Sequence, residues 1–367
     1  MKLPFWVFVS SLCFSAVCSN AEALKIEYTA TNANPTQIAA FEKAAQIWET
    51  KLKNPVTVQI DVDFSPLQNG VIGGTWPSLW YAGFYATENS ANYLQRLELD
   101  QSSFLSWGIN SNNRVSGQGS NGLFAAEDSG SLIEQLALGQ TSANDALAVS
   151  YLNTLPKNNS NLEWYSNDVL YASNLIIGTS ANLKALGYSG FTGSDASMTF
   201  NSNFSFDYNP DDGINQTKVD FVGVATHEIG HALGFLSIVD YNAYLNRAAN
   251  PFPPTVLDLY RHSTRYGFNS IDISYDGRDA WFSHDFGQTI VDFADGINSP
   301  SGDQASHWAD DLLLGIMDPT AARGELLEMR QNDVVAMDVI GWDVVPEPGS
   351  LLLLGSGLVT LLIRRKM

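Results

Sequence analysis

The feature that most constrains this chain is the pentapeptide HEIGH, which begins at His227. On a helix, side chains at positions i and i+4 share one face, so His227 and His231 can bind the same metal ion. Glu228 lies one position further round, where a carboxylate reaches a water on that metal. Apolar residues at 219–225 favour a buried helix, and Gly234 supplies a residue that can end it sharply. The pattern indicates a zinc hydrolase, against the alternative of a core helix with two hydrogen-bonded histidines.

A catalytic zinc site needs a third protein ligand and one open position. The remaining histidines are His262, His284 and His307, and Asp240 offers a carboxylate nine residues after the motif. No glutamate follows the motif until Glu325, which argues against a thermolysin-like ligand on the next helix. The residues alone leave these four candidates open.

Two later segments bear on the choice, SHW around His307 and GIMDP around Met317. They resemble the third-ligand and Met-turn region of leishmanolysin-type metzincin peptidases, where an insertion separates the zinc helix from the third histidine. The resemblance implies that His307 joins His227 and His231 in binding one zinc ion. It also implies that residues 235–306 are the insertion and that Met317 forms a hydrophobic floor beneath the metal.

The chain departs from other metzincin branches at two positions. Ser237, a poor zinc ligand, stands six residues after His231, where most metzincins carry their third histidine. Pro319 stands two residues after Met317, where astacins and serralysins carry a tyrosine. Residues 332–343 resemble the closing helix of bacterial metzincin-like surface proteases. The implied fold is α+β and metzincin-like, with a mixed twisted sheet, a zinc-binding active-site helix, a C-terminal helix and a long insertion before the third ligand.

The activity implied by the resemblance is that of a zinc-dependent endopeptidase. Glu228 would act as general base on a water activated by the single catalytic zinc ion. A peptide substrate would lie extended beside an edge strand, which we place near residues 197–203. Two rival functions remain: a non-catalytic surface adhesin or matrix protein on the same fold, and a zinc hydrolase acting on a non-peptide amide.

A second cation site is a weaker hypothesis. Asp207, Asp211 and Asp212 lie close together in the sequence and could bind Ca²⁺ through carboxylate oxygens. Their spacing matches no ordered calcium loop, so a solvated acidic turn is the alternative.

The N-terminal 21 residues predict a cleaved signal peptide: Lys2, then an apolar run to Val17, then small residues. The only two cysteines, Cys13 and Cys18, lie within it. The exported body therefore contains no cysteine, which excludes disulfides and a thiol that caps the metal. The alternative, a lipid-modified Cys18, fits poorly with Val17 before it.

The C-terminal 22 residues, 346–367, contain a Pro-Glu-Pro motif, an apolar stretch at 351–363 and a basic end. This order resembles the PEP-CTERM sorting signal of Gram-negative bacteria, which an exosortase processes during export to the surface. A single-span tail anchor is the alternative, and both place the protein outside the cytoplasm with membrane contact only through this segment. Residues 22–345 would form one metalloprotease catalytic domain.

The charge of the body limits its partners. The whole chain has a net charge of −20, of which residues 1–21 contribute +1 and residues 346–367 contribute +2, leaving −23 between them. Such acidity argues against nucleic acid or an anionic membrane as a partner of the body and fits an exported protein kept apart by self-repulsion. Periodicity further predicts helices at 36–52, 142–155 and 181–186 and strands at 56–64, 170–177 and 197–206.

Overall fold

The structure is a computed structural model that describes residues 23–84, 162–173, 175–189 and 191–345, with the backbone of 94–95, 101–104 and 110–111. The predicted signal peptide, the sorting signal and the predicted helix at 142–155 lie outside these residues. The described part is a mixed α+β protein with mixed sheets. None of its helices is long and apolar enough to cross a membrane.

The helices of the described part are α1 (Pro35–Lys51), α2 (Ser180–Ala185), α3 (Phe221–Ala232), α4 (Val239–Tyr244) and α5 (Gln331–Val339), with 3₁₀ turns at Pro210–Asp212 and Leu257–Tyr260. The strands are β1 (Lys25–Thr31), β2 (Thr57–Ser65), β3 (Gly73–Phe84), β4 (Leu94–Gln95), β5 (Gln101–Phe104), β6 (Asn110–Ser111), β7 (Leu162–Ser166), β8 (Val169–Ser173), β9 (Leu175–Thr179), β10 (Ala196–Asn201), β11 (Phe206–Asp207), β12 (Val219–Asp220), β13 (Arg261–Ser263), β14 (Ile271–Asp272), β15 (Ala280–Phe282), β16 (Val291–Phe293) and β17 (Thr320–Ala321).

The main sheet has the order β1-β2-β10-β3, and β4, β5 and β9 also pair with β3. The pairs β1–β2 and β2–β10 are parallel, whereas β10–β3 is antiparallel. The predicted alternation of β2 is confirmed, because its apolar residues are buried and its polar ones face outward or lie half-buried. The sheet is therefore mixed: β1, β2 and β10 run parallel to one another, and β3 runs antiparallel to β10 and to β4, β5 and β9.

The prediction of an edge strand near residues 197–203 is wrong. β10 pairs with β2 on one side and with β3 on the other, so it is an inner strand. Alternating apolar residues such as Met198 and Phe200 show which face of a strand is buried, but not whether its edges are paired. That depends on β3, which the sequence pattern did not reveal because Gly73, Gly74 and Pro77 interrupt it.

The prediction of one strand at 170–177 is also wrong, because the structure has two. All five residues of β9 are buried, and this strand pairs with β3 of the main sheet. β8 is largely exposed and pairs with β7 in a separate sheet. The two strands differ in burial because they pair with different sheets, and the local sequence pattern does not show which sheet a strand joins.

The predicted helix at 36–52 is confirmed as α1. Its N-cap is Asn34, whose side chain accepts hydrogen bonds from the backbone N–H groups of Thr36 and Gln37, and the backbone N–H of Asn34 donates to the side-chain oxygen of Gln37. Trp48 is fully buried, and its indole donates to the carbonyl of Thr226 on α3 at 2.8 Å. α1 therefore packs against the helix that carries the HEIGH motif and fixes its position. The predicted helices at 181–186 and 332–343 correspond to α2 and α5.

The core consists of two apolar clusters. The larger one joins α1, α3 and the buried face of the main sheet. The smaller one is built largely by the long segment after α3, including Leu236, Val239 and Phe252, against Leu79 and Ile177 of the sheet. Residues 235–306 are thus packed onto the body rather than attached loosely to it.

Candidate metal centre

α3 is a buried helix with defined ends. Asp220 is its N-cap, and its carboxylate accepts a hydrogen bond from the N–H of Gly223 at 3.0 Å. All twelve residues of the helix are buried. After the C-cap Leu233, Gly234 adopts a φ of +115°, a value that favours glycine, and the chain turns away. The helix places His227 and His231 one turn apart and ends directly after them.

The imidazole rings of His227, His231 and His307 lie together, and all three are fully buried. The Nε2 atom of His231 is 3.0 Å from that of His227 and 3.2 Å from that of His307. The Nε2 atoms of His307 and His227 are also 3.2 Å apart. Among the described residues, these three form the one cluster of three or more His, Cys, Asp or Glu side chains that could hold a metal ion.

Each ring is oriented by its other nitrogen. The Nδ1 atoms face backbone carbonyl oxygens, and because a carbonyl can only accept, each Nδ1 carries the proton. Each Nε2 is then an unprotonated acceptor that points to the other two. A hydrogen bond from the distal ring nitrogen to a backbone carbonyl is typical of histidine ligands to a metal. The bonds run from His227 to Ile316 (2.8 Å), from His231 to Phe235 (2.7 Å) and from His307 to Gln304 (3.1 Å).

The donor set fits zinc. Three nitrogen lone pairs that converge within 3.0 to 3.2 Å repel one another unless a cation lies between them. In a tetrahedral site with zinc–nitrogen bonds of about 2.0 to 2.1 Å, the nitrogens would be about 3.3 Å apart, close to the observed separations. Burial lowers the pKa of His227 to about 4 and the pKa values of His231 and His307 well below the ordinary range. The rings are therefore uncharged at neutral pH, as metal binding requires.

These lowered pKa values predict the acid sensitivity of the metal-free protein. An unfolded chain protonates its histidines below about pH 6.5, whereas the folded chain resists, so the stability contributed by the uncharged rings is present above pH 6.5 and lost as the pH falls. In His231→Gln, the slope of unfolding free energy against pH between 6 and 4.5 should be smaller by up to about 1.4 kcal/mol per pH unit. Urea unfolding in EDTA measures both slopes, and equal slopes would contradict the expectation.

The other candidate ligands lie elsewhere. Both ring nitrogens of His262 face backbone carbonyls, and His284 is exposed. Asp240 is buried, and its carboxylate accepts hydrogen bonds from the N–H groups of Ala305 at 2.6 Å and Ile297 at 2.8 Å. Because both of its oxygens accept from backbone N–H groups, including that of Ala305 two residues before the third histidine, the carboxylate does not face the rings. It holds the segment that presents His307.

Glu228 lies between the histidines and the main sheet. It is fully buried, and its Oε2 atom is 2.6 Å from the hydroxyl of Thr75 on β3. A Cβ atom added to Gly73 would come within 3.2 Å of its Oε1 atom. Strand β3 therefore passes directly beside this carboxylate, and glycine at position 73 leaves room for it.

Met317 is fully buried beneath α3. A Cβ atom at Gly230 would lie 2.5 Å from the Met317 sulfur, so the glycine inside HEIGH permits this approach. The N–H of Trp308 donates to the carbonyl of Met317 at 2.9 Å, which joins the segment of the third histidine to that of the methionine. The structure thus places the predicted Met-turn residue against the turn of α3 that carries the two histidines.

Asp333 of α5 is a residue that the sequence analysis missed. Its buried carboxylate accepts from the indole N–H of Trp308 at 2.8 Å and from the backbone N–H of Ile316 at 2.8 Å. Trp308 follows the third histidine, and the carbonyl of Ile316 orients His227. Burial raises the pKa of Asp333 to about 6. A Cβ at Gly315 would lie 2.2 Å from this carboxylate, so glycine is required there.

We expect Asp333→Asn to weaken zinc binding about 10- to 100-fold, the usual cost of losing an outer-shell partner. The asparagine amide would place N–H groups against backbone or indole N–H donors, and both neighbouring ligand segments would shift. The matched control is Asp338→Asn, because Asp338 is exposed on the same helix. Competition with a zinc chelator measures both affinities, and an unchanged affinity in Asp333→Asn would refute the expectation.

The acidic turn offers little support for calcium. The carboxylate of Asp207 accepts hydrogen bonds from the N–H groups of Asn209 at 3.2 Å and Asn215 at 3.0 Å. Such bonds to nearby backbone N–H groups are typical of an aspartate that stabilises a turn. Asp211 forms an ion pair with Lys43 at 2.5 Å. These acids do not form a metal-binding cluster in the described part of the chain.

One sequence family matches the chain, the PEP-CTERM protein-sorting motif, over residues 344–366. No curated protein and no solved structure matches it. The motif implies export and surface sorting in bacteria, and recognition by an exosortase-type processing enzyme. The predicted sorting signal is therefore confirmed.

Proposed function

We propose that this protein is a surface-sorted zinc-dependent endopeptidase of the leishmanolysin-like metzincin type, exported by a Gram-negative bacterium to its outer envelope or extracellular matrix. The observation that carries the proposal is the convergence of three uncharged Nε2 atoms beside a buried glutamate. The mixed sheet, the histidine helix, the methionine beneath it and the closing helix α5 support the same class. Zinc content measured together with casein cleavage tests it.

The chain supplies three functions to the reaction. Zinc, if bound by His227, His231 and His307, would supply a Lewis acid that activates water and polarises a carbonyl. Glu228 accepts the proton of the attacking water and delivers it to the leaving amine. The hydroxyl of Thr75, 2.6 Å from the Glu228 carboxylate, holds that side chain in place against β3.

The substrate is proposed to lie along β3 rather than β10. Residues 73–77 of β3 pair with β10 along one edge, and no other described strand pairs with them along the opposite edge. The N–H of Ser78 points to the edge that pairs with β10, because it donates to the carbonyl of Asp195. Backbone groups alternate along a strand, so those of Gly73 and Thr75 point to the opposite edge, next to Glu228. An extended peptide pairing there would place its backbone beside the metal centre.

This placement predicts that substrate backbone N–H groups matter more than substrate side chains. We expect N-methylation of one amide within two residues of the scissile bond to lower kcat/KM about tenfold or more, because it removes a hydrogen bond and adds bulk at the strand edge. A peptide from a mapped casein cleavage site serves as parent. The control is N-methylation near the end of the same peptide, and equal kinetics for all three peptides would contradict pairing to β3.

Two rival functions remain testable. A non-catalytic adhesin would not need a buried carboxylate beside the histidines, so the presence and position of Glu228 favour an enzyme. A zinc hydrolase of a non-peptide amide would use the same ligands. Comparing casein with an amidated polysaccharide as substrate separates the second rival from the peptidase.

A further inference from the structure

Both ends of the described body meet at the segment between α1 and β2, residues 52–56, which we call the α1–β2 turn. At the start of the body, the N–H of Lys25 donates to the carbonyl of Val56 at 2.9 Å. At the other end, the N–H of Val345 donates to the carbonyl of Lys51 at 2.8 Å. The chain therefore enters and leaves the fold on the same side.

The C-terminal end of the described fold, residues 342–345, is held by hydrogen bonds. The N–H of Asp343 donates to the side chain of Asn54 at 2.6 Å, and the N–H of Lys53 donates to the carbonyl of Asp343 at 2.9 Å. Just before it, Trp342 is buried, and its indole donates to the carbonyl of Leu233 at 2.9 Å. The described fold thus extends to Val345, the residue that precedes the Pro-Glu-Pro motif.

The number of residues after Val345 limits how far the folded body can lie from the apolar stretch of the sorting signal. Five residues, 346–350, separate Val345 from the apolar stretch at 351–363 of the sorting signal. Fully extended, they span about 17 Å at most. While the sorting signal is attached and its apolar stretch is in a membrane, the α1–β2 turn stays within that reach. If the predicted signal peptide, residues 1–21, is also still attached and in the membrane, residues 22–24 hold the start of β1 within about 10 Å of it.

The charge around the turn is balanced, in contrast to the net charge of −23 for residues 22–345. An acidic body is repelled by anionic headgroups, and the repulsion is smallest where positive and negative side chains offset one another. Among the described residues, the charged side chains near the two ends and the turn include three lysines and three acids: Lys25, Lys51, Lys53, Glu27, Glu49 and Asp343. The ion pair of Lys184 with Asp195, beside Thr57, adds no net charge.

We propose that the α1–β2 turn faces the bilayer while the sorting signal is attached, so that the precursor lies on the membrane in one orientation. The partner is the surface of the membrane that holds the sorting signal, which extends the sequence-based expectation of membrane contact through that signal alone. The short connection after Val345 restricts the distance, and the balanced charge lets this side approach. The proposal does not depend on peptidase activity.

The exported chain, residues 22–367, contains no cysteine, so single labelled cysteines can report this orientation. The chain is reconstituted in phosphatidylglycerol–phosphatidylcholine vesicles that contain a headgroup-linked nitroxide quencher. Lys53→Cys places a fluorophore at the turn, and Thr36→Cys places one near the opposite end of α1, about 25 Å away by helix rise. We expect quenching at position 53 to be at least three times that at position 36. Equal quenching, or stronger quenching at position 36, would overturn the proposal.

A linker variant tests the role of the short connection. Twenty Gly-Ser residues inserted between Val345 and Pro346 have an average span of about 25 Å and would let the body rotate. We expect the difference in quenching between positions 53 and 36 to fall by more than half. A difference that persists unchanged would show that the connection does not set the orientation, and would overturn the assignment.

Discussion

Replacing Glu228 with glutamine should lower kcat for casein-derived peptides about 10³-fold while leaving one zinc ion per chain. Glutamine has nearly the same shape and can still accept the hydrogen bond from the hydroxyl of Thr75, which is 2.6 Å from the carboxylate. It cannot accept a proton from water at neutral pH. The expected loss therefore isolates general-base chemistry from metal binding. Steady-state kinetics and metal analysis of the same preparation provide the two measurements.

The matched control is Glu328→Gln, because Glu328 is exposed and forms a surface ion pair with Arg330 at 3.7 Å. Its activity and zinc content should equal those of the parent. If the parent binds zinc but cleaves no peptide, the result favours a non-catalytic adhesin or a zinc hydrolase of a non-peptide amide. If Glu228→Gln retains full activity, Glu228 is not the base and the proposed mechanism fails.

Replacing His307 with alanine should weaken zinc binding more than 100-fold, beyond the cost of an outer-shell change, and abolish cleavage. His307 supplies the third Nε2 atom, 3.2 Å from each of the other two. Without it, two ligands on one helix remain and the coordination is incomplete. Titration with zinc against a competing chelator measures the change, and circular dichroism checks that the variant is folded.

The control for His307 separates the candidates that the sequence left open. His284→Ala alters an exposed ring and should retain the full zinc affinity. His307→Asn provides a second, polar replacement in case alanine leaves a destabilising cavity. Full zinc binding by both position-307 variants, or its loss in His284→Ala, would show that the third ligand has been misassigned.

The parts of the site that are local in sequence were predictable. His227 and His231 share a helix, so their relation follows from helical periodicity, and Gly234 follows from the need to end that helix. His307 is different, because 76 residues separate it from His231 and periodicity cannot relate them. Only the resemblance of its surroundings to a known family pointed to it. The structure independently brings the three rings together, whereas the zinc and the reaction remain proposals.

The residues that escaped prediction act through tertiary contacts. Asp333 looks like any helical acid in the sequence, and its importance arises from buried donors on segments 16 to 25 residues away. Asp240 was considered as a ligand because of its spacing, but its carboxylate holds the backbone before His307. β3 was missed because glycine and proline interrupt its pattern. That omission led directly to the wrong choice of substrate strand, since an inner strand and an edge strand have the same alternation.

The wide separation of the histidines has a consequence for how long the protein survives outside the cell. A metal shared by His231 and His307 would act as a cross-link that closes a loop of 76 residues, in a body that has no cysteine and hence no disulfide. A cross-link of that span restricts the unfolded chain by an amount on the order of 4 kcal/mol, as a disulfide would. Extracellular proteases attack chains that unfold. Metal supply in the surroundings would then determine how much of the protein persists, as well as whether it is active.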